Sequence, residues 1–439
     1  MPLPPLSFIF EDKPVGNLTL SVEQKKLFHR FENTESHMFI TGKAGTGKSV
    51  LLQYIKLNTK KKIVVVAPTG VAALNVGGQT IHSLFLLPPS FIDINSLKVS
   101  SKNAKILKSI DTLVIDEVSM VRADVMDGID HVLRKTREDN RPFGGIQLLM
   151  FGDLYQLPPV VNEPDLIQYF NDHNGGFYFF NSLAWNGSDL EIYELNTIFR
   201  QTDEGFKYIL NSLRSGDLSE DHLSVLNQRS VGPAPSIGVI TLATTNSTVF
   251  QINHSRLNSL PDKSHTFSAT VTGDLDAYSF PTESNLELKK GAQIMMLKND
   301  SQKRWVNGSL GIIESVTSQK ITVKIGDNVY DVEPETWNKI RYYYSADKHQ
   351  IQEEVVSSFT QFPIRLAWAV TIHKSQGQTY DSVIIDLGRG AFAHGQTYVA
   401  LSRCKSLETL YLRRPLTYED ILIDPAIISF MSKANINKL

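Results

Sequence analysis

The chain has 439 residues, of which 41% are hydrophobic and 21% charged, with a formal net charge of -2. That length allows two to four domains of roughly 100–200 residues, each with its own core, and no apolar run approaches the ~18 residues that cross a bilayer. The near-neutral balance excludes a basic coat over the whole surface but leaves room for one narrow groove of phosphate donors.

In chain order, "MPLPPLSFIFEDKP" lacks the basic start and cleavage site of a secretory signal, and its prolines oppose a helix, so an extended arm on the first domain is expected. Up to about residue 185 the pattern is apolar strand, turn, helix: "HMFITG" then "KSVLLQYIKLN", "KKIVVVAPTG" then "VAALN", "DTLVIDEVS" then "RADVMDGIDHVLRKTRED", and "IQLLMFGD". Strands of continuous apolar residues alternating with helices predict an α/β fold around a parallel sheet covered on both faces. A second cycle starts near Glu191 with "LEIYELNTIFR" and resumes after about residue 355 with "TIHKSQGQTYDSVIIDLG" and "LETLYLRR". Between them, short alternating runs broken by Gly, Asn and Asp read as an inserted β-barrel. The expected domains are therefore 1–187, 188–264 joined with 353–439, and a barrel at 265–352. Cys404 is the only cysteine, so no internal disulfide forms and a reducing intracellular compartment is expected.

The chemistry starts at "GKAGTGKS", Gly42 to Ser49. The spacing G-x-x-x-x-G-K-S between a strand and a helix lets the backbone N–H groups of Gly42, Ala44, Gly45, Thr46 and Gly47 wrap phosphate oxygens. Lys48 then reaches the β and γ phosphates and Ser49 ligates Mg²⁺. On average residue frequencies about 0.01–0.02 such matches arise by chance in a chain this long, so the phosphate reading stands. Asp116 and Glu117 end the apolar strand of "TLVIDEVS", where Asp116 is placed to hold Mg²⁺ and Glu117 to deprotonate the attacking water. Gln156, in "FGDLYQLPPV", is placed to sense the γ-phosphate. Arg200 in "LNTIFRQ" and Arg403 in "GQTYVALSRCKS" are candidate arginine fingers, with Gln396, Ala400 and Arg403 at helical spacing on one face.

Together these motifs resemble the petite-integration-frequency (PIF) helicases of superfamily one, with their RecD-like relatives. "LTLSVEQKKLF" resembles the adenine-reading Q motif, with Gln24 as base contact. "GKAGTGKS", "APTGVAALNVGGQTIHSLF", "IDEVSM", "GDLYQLPPV", "LNTIFRQ", "TIHKSQGQT" and "YVALSRCKSLETLYL" follow in the family's order, and residues 121–149 resemble its signature helix. The resemblance implies two RecA-like domains with ATP and Mg²⁺ between them, Gln376 and Gly377 joining the nucleotide contacts from the second. It also implies an SH3-like character for the barrel, with Arg304 and Trp305 as candidate DNA contacts, Trp305 fitting the barrel core equally well, and a wedge at 84–105 with Phe91 or the prolines at its tip, where a polar surface loop is the other reading. By the same resemblance Thr69, Thr80, His82 and Ser83 of the first domain, and Thr244, Asn246, Thr371, His373, Lys374 and Ser375 of the second, grip a DNA strand through its phosphates.

The function so implied is an ATP-dependent DNA helicase that loads on single-stranded DNA, moves 5′ to 3′ along it and unwinds duplex, with single-strand/duplex junctions as partners and G-quadruplexes and RNA–DNA hybrids as further candidate substrates. An RNA or hybrid helicase, and a nucleotide switch without unwinding, are the alternatives; a pure switch needs neither Glu117 nor Arg403. A monomer with no membrane partner is expected, cytoplasmic in a prokaryote or virus and nuclear or mitochondrial in a eukaryote.

Overall fold

The computed structural model describes residues 19–161, 163–185, 188–201, 203–230, 238–273, 280–318, 320–345 and 350–439; the expected N-terminal arm lies outside them. The first helix, α1 (Val22–Asn33), begins at a capping box. Ser21 Oγ accepts from the Gln24 N–H at 3.2 Å, and the Ser21 N–H donates to Gln24 Oε1 at 3.0 Å. Such a cap contributes about 1 kcal/mol and also fixes the direction of the Gln24 side chain.

The first lobe continues as β1 (His37–Gly42), α2 (Lys48–Asn58), β2 (Ile63–Ala67), α3 (Gly70–Val76), β3 (Gln79–Thr80), α4 (Ile81–Phe85), α5 (Ala104–Ser109), β4 (Thr112–Ile115), α6 (Ala123–Arg137), β5 (Gln147–Phe151), α7 (Pro164–Asn174) and β6 (Leu190–Leu195). Its strands lie parallel in the order β6-β1-β5-β4-β2-β3. The continuous apolar runs are buried along nearly their whole length, because helices cover both faces. This order puts the ends of β1, β5 and β4 side by side, bringing "GKAGTGKS", "GD" and "DE" to one edge.

The second lobe comprises α8 (Glu204–Ser215), α9 (Glu220–Asn227), β7 (Ile240–Ala243) and α10 (Asn246–Asn258). An antiparallel insertion comes next: β8 (His265–Ser268), β9 (Thr270–Thr272), β10 (Asn285–Leu288), β11 (Gln293–Met296), β12 (Leu310–Val316), β13 (Ile321–Ile325), β14 (Asn328–Val332), β15 (Glu335–Ser345), β16 (Gln350–Gln361) and β17 (Ile364–Leu366). The lobe resumes with β18 (Ala369–Thr371), β19 (Val383–Asp386), α11 (Gln396–Leu401) and β20 (Leu410–Leu412), and the chain ends in α12 (Pro425–Lys433) and β21 (Ile436–Asn437). Strands β18-β7-β19-β20 form a second parallel sheet.

Three expected boundaries are corrected. Strand β6, placed by the sequence in the second domain, pairs with β1 along its whole length, with Ile192 in one core layer of the first lobe and Tyr193 and Leu195 in the other. Its alternating pattern shows a strand without showing which sheet it joins. The insertion runs past residue 352: β16 is the long partner of β15, and β17 pairs with β11 and buries Ile364 beside Trp305 and Trp368. The last residues return to the first lobe, where β21 pairs parallel with β6, Ile427 and Met431 of α12 enter its core, and Phe430 stacks on Phe180 at 4.0 Å.

The insertion holds a five-stranded sheet, β14-β13-β12-β11-β17, and a hairpin, β15 with β16, edged by β9. Trp305 is a core residue of the insertion, 8% exposed, and Arg304 is occupied by Asp300 at 2.6 Å while lying over the Trp305 ring. The pair expected as DNA contacts is thus largely spent on the insertion's own packing. The β15/β16 hairpin reaches across to the first lobe, where its backbone runs beside α5, α3 and β3.

Residues 84–105 also differ from an open polar loop. Leu87 and Ile92 sit in the first core, the Ile92 N–H donates to Asp124 Oδ2 at 2.9 Å, and the Phe91 ring packs edge-on against Tyr169 and Phe170. Phe91 is therefore an anchor and not a tip; Leu86, Pro89 and Ser90 form the exposed edge.

Candidate nucleotide and strand site

The loop between β1 and α2 folds as its sequence requires. Gly45 and Gly47 take φ of +86° and +80°, and a Cβ at Gly45 would lie 2.4 Å from that of Arg200, one at Gly47 2.6 Å from Gln24 Nε2. Both positions demand glycine for conformation and for space. Lys48 Nζ donates to the Gly42 and Lys43 carbonyls at 2.5 and 3.2 Å, and burial pushes its basicity down. Thr46 Oγ1 donates to the Lys43 carbonyl at 2.9 Å, while Ser49, one residue into α2, is exposed. The Ala44 N–H donates across the cleft to Tyr398 Oη, on α11, at 3.0 Å. Gln24 Nε2 donates to the Gly47 carbonyl at 3.1 Å, so the capping box aims this side chain at the loop.

Asp116 and Glu117 come directly after β4. Glu117 has φ of +51°, a strained conformation for a side-chain-bearing residue. Burial and then the Glu117 charge push the Asp116 carboxyl up to about 7, and burial raises Glu117 against the opposing pull of Lys48 and Arg403. Gln376 Nε2, from the other lobe, donates to Glu117 Oε2 at 3.0 Å.

The two arginines meet on the second-lobe side. Arg200 Nη1 and Nη2 donate to the Ser402 and Gly377 carbonyls at 3.3 and 3.5 Å. Arg403 is 1% exposed and donates to the carbonyls of Val399, Gln378 and Ser375 and to Ser402 Oγ. The expected i, i+4, i+7 face does not form, because α11 ends at Leu401 and Arg403 lies in the turn after the Ser402 cap. Burial lowers the basicity of both guanidinium groups, and the Arg403 charge adds to the drop of Arg200 to about 9. Among the described residues neither forms an ion pair with a carboxylate. A buried and a half-buried cation held only by carbonyls and a hydroxyl, facing the glycine-rich loop, suit a polyanion.

Gln156 is 6% exposed and its amide donates to Asp153 Oδ2 at 3.2 Å, so in this structure it is spent on a neighbour rather than presented to the cleft. Of the expected strand contacts, Thr69 and Thr80 cap α3 and α4 by accepting from the Ala72 and Ser83 N–H groups, and Ser83 Oγ accepts from Gln79. Thr371 Oγ1 accepts from the Lys374 N–H; Thr244 is buried beside it, and Asn246, at the first turn of α10, is exposed. His82 and His373 are half-buried, and burial lowers the basicity of both. Lys374 is exposed. Ser375 is a correction: it is fully buried, with its hydroxyl given to the Ile372 carbonyl, and so cannot present that hydroxyl to a strand. These segments all lie at the carboxyl ends of parallel strands, where open α/β sheets bind ligands.

Sequence reasoning misses four residues. Tyr398 lies inside a motif whose spacing assigns it no role, and Phe199, 59% exposed with its ring about 3.7–3.8 Å from a Cβ at Gly47, stands beside Gln24. Asp153 and Arg214 form a buried pair with N–O distances of 3.2–3.3 Å across 61 residues of chain, which no local pattern announces.

Two parallel-sheet lobes, with a P-loop and acid pair on one, Arg403 on the other and Arg200 on the link reaching from the loop to the second lobe, define a P-loop protein with a composite cleft. The sequence pattern of the PIF1-like helicases matches residues 19–222, and that of the DNA helicase Pif1 2B domain matches residues 274–316. The chain is similar to the human ATP-dependent DNA helicase PIF1, 34% identical over 94% of this chain and 63% of the relative. It therefore spans less than two thirds of that protein's length. Bacteroides sp Pif1 in complex with ADP-AlF4 superimposes with a TM-score of 0.87 at 37% identity, over 94% of this chain and 96% of the other. Bacteroides Pif1 bound to ssDNA, at the same identity and coverage, gives 0.69. The chain belongs to the PIF1-like helicase family.

Proposed function

We propose that the chain is an ATP-dependent DNA helicase that moves 5′ to 3′ along single-stranded DNA and opens junctions with duplex. The observation that carries this reading is the composite cleft: Glu117 and Ala44 of one lobe are bonded to Gln376 and Tyr398 of the other. Occupancy of the cleft and the relative position of the lobes are thereby linked. The human relative is named an ATP-dependent DNA helicase, and the two Bacteroides Pif1 structures, one in complex with ADP-AlF4 and one bound to ssDNA, superimpose on this chain with TM-scores of 0.87 and 0.69 at 37% identity. Equal identity with unequal superposition supports more than one backbone arrangement among such relatives.

Magnesium-bound ATP would supply the phosphoryl group and neutralise part of its charge. Lys48 would exchange the Gly42 and Lys43 carbonyls for phosphate oxygens, Ser49 and Asp116 would hold the metal, and Gln24 and the exposed Phe199 ring would take the base. Glu117, made more basic by burial and oriented by Gln376, accepts the proton of the attacking water. Arg200 and Arg403 stabilise charge from the opposite side.

The strand passes over the carboxyl ends of both sheets, along Thr69, Thr80 and His82, then Asn246 and Lys374. We assign the five-stranded sheet of residues 293–366 as the SH3-like barrel, with the β15/β16 hairpin arching over Thr80 toward α5. A monomer suffices for this arrangement, and among the described residues no helix is long and apolar enough to cross a membrane. Duplexes with a 5′ or a 3′ single-stranded tail test the proposal directly: with ATP and Mg²⁺ only the 5′-tailed substrate is unwound, and unwinding from a 3′ tail alone overturns the polarity. G-quadruplexes and RNA–DNA hybrids carrying the same tail rank the substrates.

The wedge assigned to Leu86–Ser90 has its own test. Replacing Pro88, Pro89 and Ser90 with glycine lowers unwinding by roughly tenfold or more, the equivalent of ~1.4 kcal/mol of barrier. ATP hydrolysis on single-stranded DNA stays near its original rate, whereas normal unwinding by this variant removes the wedge from these residues.

A further inference from the structure

The motif "GDLYQLPP" is gripped from both sides by the second lobe. Arg214 stands in the last turn of α8, a helix whose Phe206, Ile209, Leu210 and Leu213 belong to the second core. Its guanidinium leaves that lobe: Nε and Nη2 donate to Asp153 Oδ1 at 3.3 and 3.2 Å, Nη1 donates to Glu194 Oε1 at 3.0 Å, and the plane lies over the Tyr155 ring at 4.3 Å. The other Asp153 oxygen accepts from the Gln156 amide at 3.2 Å. On the far side Gly395, the N-cap of α11, abuts the motif so closely that a Cβ there would lie 2.4 Å from both the Tyr155 and Gln156 carbonyls.

We propose that Arg214 is a positioning residue that ties α8 to Asp153, so that cleft closure and the setting of the Gln156 amide are a single event. Asp153 is completely buried, and with one oxygen committed to the opposite lobe its free direction is dictated by where α8 stands. Packing alone does not need this arrangement: apolar groups of similar volume stabilise a buried interface as well as an ion pair does, without its directionality. A guanidinium bound to two carboxylates and stacked on Tyr155 instead fixes orientation, and rotation of the lobes breaks the Asp153 contact before it separates the apolar surfaces. Gln156 is then released from Asp153, or held to it, according to the state of the cleft.

The proposal rests on the helicase reading, and the test separates the two. Cys404, the only cysteine, is buried, so cysteines introduced at exposed Lys60 and Glu408 can carry a fluorescence pair across the lobes. In the otherwise unchanged protein, a non-hydrolysable ATP analogue with oligo-dT changes the transfer efficiency. In Arg214→Gln about half or more of that change is lost, while turnover on single-stranded DNA falls about tenfold and KM for ATP stays within about threefold. Arg214→Lys, which keeps the charge but cannot bridge two carboxylates, recovers part of both readouts. Should Arg214→Gln fail to fold, Glu194→Gln reports on the same tie with smaller amplitude. A full-size closure signal in Arg214→Gln overturns the proposal, as does a loss of turnover that tracks melting temperature alone. Absence of closure in the unchanged protein overturns the helicase reading and this inference with it.

Discussion

Lys48→Ala abolishes ATP hydrolysis, a loss of ~10³-fold or more, while binding of single-stranded DNA survives largely intact. The lysine is the first residue of α2, and its ammonium lies against the Gly42 and Lys43 carbonyls, in the loop proposed to take the β and γ phosphates. Among the described residues no other cation replaces it: Lys43 is a separate half-buried side chain, and Arg200 approaches from across the loop. The proposed strand contacts lie elsewhere along the strand ends, so binding is expected to be retained. A steady-state ATPase assay beside a fluorescence anisotropy titration with oligo-dT checks both halves, and retained hydrolysis would sink the site assignment.

Arg403→Ala keeps nucleotide binding but lowers turnover by about 10³-fold, the scale of other arginine fingers. The residue is fully buried and its donors are spread over Val399, Ser375, Gln378 and Ser402. Truncation therefore leaves carbonyls without partners, at about 1–3 kcal/mol for a buried group, so some loss of stability accompanies the loss of rate. Arg403→Lys separates these effects: it retains the charge and a shorter donor, yet lacks the planar fork and remains slow. Single-turnover hydrolysis, with the affinity of a fluorescent nucleotide measured alongside, decides the matter; near-original turnover would take Arg403 out of the site.

Much of this is legible in the amino-acid order alone. Strands β1, β2, β4 and β5 are buried on both faces, so each shows as an unbroken apolar run, and the loop after each is short and chemically specific. The phosphate loop and the acid pair are local features that spacing alone can name. The illegible part depends on distance in the chain. Strand β6 alternates in a way that fits either sheet, and the tie between Asp153 and Arg214 spans 61 residues. Gln24 shows a subtler limit: the same side chain completes a helix cap with its oxygen and reaches Gly47 with its nitrogen, so one motif carries two signals of which the pattern reveals one. Phe91 and Ser375 err the other way, and Trp305 leaves core and contact equally open, since composition offers a polar or aromatic side chain and only packing decides whether it faces outward.

The return of β21 to β6 has a consequence for biosynthesis. The Asn437 side chain bonds to the Ile192 carbonyl across 245 residues, and α12 reaches the first core only with that same late segment. At about 5–20 residues per second, the flank of β6 and the face around Phe180 wait roughly 12–50 s on the ribosome for their cover. During that interval the second lobe and its insertion emerge beside an open sheet edge, which is a template for wrong pairing. Synthesis rate and chaperone supply, more than the equilibrium stability of either lobe, should therefore govern the yield of correctly folded protein.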